Sequence, residues 1–177
     1  MTCRENYPAH LVVLNLVALA ASAVVGIMLT ARLGWWALAG YALLGALGVL
    51  LSLAWACTRC HYYGKICGLA LGKLAALGLP KRDEREFGQG WSQTLAWSLV
   101  GLALALPLVA GIVSLSASWT LSAVAPTLVY LVLVVLIALT HSSLICGRCC
   151  MAQQGRCRLG RVAGPTKIVV SEVEAHR

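Results

Sequence analysis

Four stretches of this chain have a composition that no water-exposed loop or surface helix carries. They run from about Leu11 to Ala31, Trp35 to Ala56, Thr94 to Leu115 and Leu121 to Ile145, and none contains Asp, Glu, Lys or Arg. Each holds about 20–25 residues, which at a helical rise of about 1.5 Å per residue crosses a hydrocarbon core about 30 Å thick. The pattern predicts an all-α integral membrane protein, a single membrane domain over residues 1–177, with four transmembrane helices bundled as two hairpins. Composition agrees: 60% of residues are hydrophobic and 11% charged, against about 25% charged in a soluble domain. The first stretch is expected to be a permanent span. It is too long for the apolar part of a cleavable signal, and the segment Met1 to Asn6 before it is only weakly basic.

Orientation follows from the basic residues. Of the 14 Lys and Arg, only Arg32 falls in a short turn between paired stretches, and the turn near Ser116 to Thr120 has none. The rest, with every acidic residue, lie in the N-terminal segment, the central loop and the tail of about 146–177. The positive-inside rule places both termini and the central loop in the cytoplasm, and the expected location is a prokaryotic cytoplasmic membrane. Trp35, Trp36 and Trp119 fall near one expected interface, and Trp55, Trp91 and Trp97 near the other. The formal net charge of +8 is therefore read as loops at an anionic membrane surface, with no nucleic-acid partner.

The central loop opens with Cys57-Thr58-Arg59-Cys60-His61-Tyr62-Tyr63-Gly64-Lys65. An apolar stretch of about 66–79 follows, too short to span, and is read as a helix in the cytoplasmic interface that ends at Pro80. Tyr62 and Tyr63 are read as headgroup anchors, and Lys81 to Glu86 as a solvated run. Gly64, Gly68 and Gly72 form a small-residue stripe suited to close packing on the bundle or on a partner.

The 8 cysteines are the chemical feature of the chain. Each pair of apolar stretches is followed by a knuckle: Cys57-x2-Cys60-x6-Cys67 after the second, Cys146-x2-Cys149-x7-Cys157 after the fourth. A Cys-x2-Cys turn aims two sulfurs at one point, which is why zinc and iron–sulfur sites use it. Cytosolic thiols stay reduced, so a disulfide framework is not expected. The expected metal ligands are Cys57, Cys60, Cys67, Cys146, Cys149 and Cys157, with Cys150, His61 and His141 as further candidates. The spacings leave Zn²⁺ and an iron–sulfur cluster both open. Arg59, Lys65, Arg148, Arg156 and Arg158 are expected to lower the thiol pKa values. The plainer alternative is unmetallated thiols, some of them acylated. Cys57 to His61 also has the CxxCH form of covalent haem attachment, which a cytoplasmic location rules out.

No intramembrane charge suggests a pump or channel, and Asn15, Tyr41 and Tyr130 are expected to make interhelical hydrogen bonds. Gly40, Gly45, Gly48, Gly101 and Ala105 are expected to face neighbouring helices. No phosphate loop, nucleophile–base set or paired carboxylate is present, and the chain is not expected to be an enzyme by itself. Three functions follow. The first is a metalloprotein with a cytoplasm-facing cysteine centre, serving as an electron-transfer or anchor subunit. The second is a non-enzymatic assembly subunit. The third is a thiol redox or soft-metal-handling protein using Cys149 and Cys150. The expected partners are the lipid bilayer, another membrane or soluble subunit, and a second copy of the chain.

Overall fold

Helices dominate because a helix pairs the backbone groups of an apolar stretch within the stretch itself, as lipid requires. A computed structural model describes residues 6–117 and 119–153 of the chain. Its elements are α1 (Ala9–Ala31), α2 (Trp35–Leu51), α3 (Leu71–Gly78), α4 (Trp91–Ala117), α5 (Leu121–Thr140) and α6 (Cys150–Gln153). Among the described residues there is no strand. Helical winding continues past α2 to Arg59 and past α5 to Ile145, which makes four helices long and apolar enough to cross a membrane. This marks the chain as a membrane protein.

The boundaries follow local chemistry. Pro8 precedes α1 in extended conformation, and Gly34 turns the chain between α1 and α2 at a φ of 108°, which costs a glycine little. The third span begins at Trp91, earlier than the expected Thr94, directly after Gly90. α3 is shorter than the helix expected over 66–79. Residues before Leu71 are held in turns, with the Ala70 N–H donating to the Cys67 carbonyl at 2.9 Å and Ala70 left-handed at φ 56°. That local geometry, stabilised from outside, overrides the helical propensity of the stretch.

The most extensive helix contacts join α2 to α4 and α1 to α5, with α4 also packed on α5 and α1. Lipid removes any hydrophobic drive between helices, so close approach of small side chains holds them. A Cβ at Gly48 of α2 would lie 2.9 Å from Val100 of α4, and one at Gly111 of α4 2.7 Å from Thr127 of α5. Gly40, Gly45 and Gly101, in contrast with the sequence expectation, face open space. Tyr130 donates to the Leu104 carbonyl across α4 and α5 at 3.0 Å. α2 contributes least to the interior: 6% of its span is buried, against 22% for α1 and α4. Large apolar side chains cover the outside of all four spans, as a lipid solvent requires.

Candidate metal centre

Both knuckles are built by the same backbone device. α2 ends in a π turn (Ser52–Ala56) followed by a 3-10 turn (Cys57–Arg59), and α5 ends in a π turn (His141–Ile145) followed by a 3-10 turn (Cys146–Arg148). The wide turn and then the tight one end at a cysteine in extended conformation, Cys60 in one half and Cys149 in the other. Within each knuckle the second cysteine donates its N–H to the carbonyl of the first, at 3.3 Å in one half and 3.1 Å in the other. The repeated layout reaches into sequence as well, since both knuckles read Cys-x-Arg-Cys, with Arg59 and Arg148 in matching places. π turns inside membrane-length helices frequently mark functional positions.

Packing brings the two knuckles to one place. Cys60 and Cys149 both pack on a cluster formed by Tyr7, Val12, Tyr62, Ile145 and Cys150, and both also pack on a second cluster of Ala56, Phe87 and Met151. Cys67 joins the first cluster. Gly68 lies so close to the second knuckle that a Cβ there would stand 2.5 Å from Ile145. Gly72 is pressed onto the carbonyls of Tyr62 and Lys65, and Gly64 adopts a φ of 76°. The Gly64, Gly68 and Gly72 stripe is therefore consumed inside the fold, where it folds the loop back on itself and on α5.

The start of α1 straps this assembly. The Tyr7 N–H donates to the Ile66 carbonyl at 3.2 Å, and the Asn15 amide donates to the Gly68 carbonyl at 3.1 Å, so Cys67 is bracketed on both sides. The Tyr7 hydroxyl donates to the Ile145 carbonyl at 2.6 Å, one residue before Cys146. Asn15 is buried, and its Oδ1 has no hydrogen-bond partner among the described residues. Tyr62 is buried too, its hydroxyl 3.4 Å from the Cys150 sulfur, and so is not the headgroup anchor expected of it. Sequence reasoning took Asn15 for an interhelical contact and passed over Tyr7. The only signal was the Asn15 amide within an apolar stretch, and Tyr7 lies before α1 and gave none.

Among the described residues, no three His, Cys, Asp or Glu side chains stand in positions to hold one ion. Cys57, Cys60 and Cys67 are thiols within electrostatic reach of one another, and Cys149 lies within reach of Cys60. Cys146 neighbours Tyr7. Cys157 lies outside the described residues. Cys150 is disulfide-bonded, in contrast with the expectation of reduced thiols throughout. A disulfide sulfur carries no thiolate charge for a metal, so Cys150 is not a ligand in this state. His61 faces Glu84, with its Nδ1 3.8 Å from the carboxylate, and meets the Tyr62 ring edge-on. His141 opens the second π turn and is half-buried.

Electrostatics differ from the sequence expectation. Burial pushes the Cys60 thiol up to about 12, reinforced by Cys149, Cys67 and Glu84, while a backbone hydrogen bond involving Tyr62 pulls it down. Arg59 does not offset this: its guanidinium is committed to Glu86 at 2.8 Å and to the Trp55 carbonyl at 3.2 Å. Without a metal, Cys60 is a protonated thiol at neutral pH and a poor nucleophile.

The described residues form an all-helical membrane protein with four membrane-length helices, in which Cys60 and Cys149 pack on shared buried clusters. Comparison with protein-family models, with curated proteins and with solved structures returns no match.

Proposed function

We propose that the chain is a membrane metalloprotein in which sulfurs of the two knuckles share one metal centre that ties the halves of the bundle together. The observation that carries this reading is that Cys60 and Cys149, distant in sequence, pack on the same two buried clusters. The proposed ligands are Cys57, Cys60, Cys67, Cys146 and Cys149, with Cys157 from the tail, and the ion is Zn²⁺ or the iron of an iron–sulfur cluster. Metal binding requires these sulfurs to draw together and release their protons. The ion must outweigh the burial that favours the protonated Cys60 thiol. Both termini and the cap of knuckles face the cytoplasm in this reading, because the basic residues gather on that side. As an iron–sulfur protein the chain would pass electrons within a larger membrane complex; as a zinc protein it would be an anchor for a partner subunit.

The test is elemental analysis and an optical spectrum of gently solubilised protein. Zinc or iron in near-stoichiometric amount is expected, released by Cys60→Ser and by Cys149→Ser. Absorbance around 400 nm separates a cluster from zinc, an expectation of about that wavelength from cluster chemistry. Folded protein free of both metals overturns the proposal.

The disulfide at Cys150, next in sequence to Cys149, supports a second reading: thiol–disulfide exchange at the cap. Under that reading the same protein is metal-free and reacts readily with a thiol reagent in intact membranes.

A further inference from the structure

The same end of the bundle carries cations without a carboxylate partner among the described residues, beside exposed apolar side chains. α3 packs on the turns that end α2, which sets it at the level where a span leaves the hydrocarbon. Gly72 and Ala75 face inward, while Lys73, Leu74 and Leu77 face outward, the leucines 51% and 81% exposed. Two cations of the surrounding loop are neutralised: Arg59 by Glu86 at 2.8 Å and Lys81 by Glu84 at 3.0 Å. Lys65, Lys73 and Arg82 have no carboxylate partner among the described residues. The indole of Trp91, 75% exposed, stands at the start of α4 near Trp55.

We propose that α3, with Lys73 on it and Lys65 and Arg82 beside it, forms a binding surface for anionic lipid headgroups. The chemistry has two parts that only such a lipid matches at once. The ammonium and guanidinium groups attract a phosphate, and Leu74 and Leu77 enter the acyl boundary beneath it. Trp91 belongs to the same level, as indole rings favour the interface. The inference is independent of the metal reading, since it uses no sulfur.

Full-length protein in nanodiscs of mixed phosphatidylglycerol and phosphatidylcholine, extracted and weighed by native mass spectrometry, reports which lipid it retains. Phosphatidylglycerol should be enriched over its bulk fraction. Each of Lys65→Gln, Lys73→Gln and Arg82→Gln should weaken that preference by about fivefold, the effect of one surface cation. Raising the salt should weaken it in the unaltered protein. A photoreactive side chain in place of Leu77 should label lipid. Equal retention of the two lipids, a preference that persists in the triple variant or at high salt, or label found on protein would each overturn the proposal. The salt series decides the matter should a variant fail to fold.

Discussion

The two ends of the helix bundle are built on different principles. At one end α1 turns into α2 through Arg32 to Gly34, and the tryptophans Trp35, Trp36 and Trp119 point outward, 63%, 73% and 85% exposed. The cross-link there is an exposed one, Arg32 donating to the Ser122 carbonyl at 2.8 Å. At the other end Tyr7, Asn15 and Tyr62 are buried and reach α5, the central loop and α6. The contrast teaches where specificity resides in a protein of this composition. Spans interact mainly through packing, with the Tyr130 bond to the Leu104 carbonyl as a polar contact between two of them. A unique arrangement is written where buried polar groups must find distant partners, and Tyr7, Asn15 and Tyr62 find theirs beside the cysteines.

The sharpest way to break this contrast is at Gly72. A β-branched side chain there collides with the Tyr62 carbonyl, a backbone atom that has no room to yield. Gly72→Val is expected to destabilise the cap by about 3 kcal/mol, the upper end of what overpacking costs. Amide hydrogen exchange should show faster exchange over the Tyr62–Lys65 turn while the middle of α4 stays protected. Equal protection in both regions would mean the cap is no more specifically packed than the spans.

A smaller effect is expected one layer inward. Asn15→Leu removes the donor to the Gly68 carbonyl together with the unpartnered Oδ1. Loss of the bond costs about 1 kcal/mol, offset in part because an unsatisfied acceptor is removed with it. The thermal midpoint should drop by a few degrees at most, and labelling of Cys67 by a thiol reagent should speed up. Unchanged labelling would show that the strap does not hold Cys67.

The smallest effect is expected in the lipid-facing middle. A Cβ at Gly45 meets nothing within 4 Å, so Gly45→Val should change stability by no more than about 0.5 kcal/mol. A thermal melt in detergent checks this. A large loss would reveal a neighbour pressed against α2, and with it a second copy of the chain or another subunit.

Much of the fold was legible in the residues. The four spans were placed within a few positions because hydropathy is a local sum: twenty apolar side chains in a row reach the same conclusion whatever packs on them. The fourth span ends at Ile145 as expected, and the first ends at Ala31. The site was legible only as an inventory. Two knuckles were visible, but not that both follow a π turn, since no residue type marks one. Gly40 and Gly45 looked like Gly48, and only Gly48 meets a neighbouring helix.

What the sequence determined by itself is therefore the class of solvent, the number of spans and the kinds of ligand atom available, because each follows from side-chain chemistry read within one turn or one window. What only the tertiary structure decided is which cysteines share a cluster, which glycines are pressed against backbone, and that Tyr7 and Asn15 bracket Cys67. Those are distances between parts of the chain far apart in sequence. They depend on how every helix between them packs, and no local pattern encodes that.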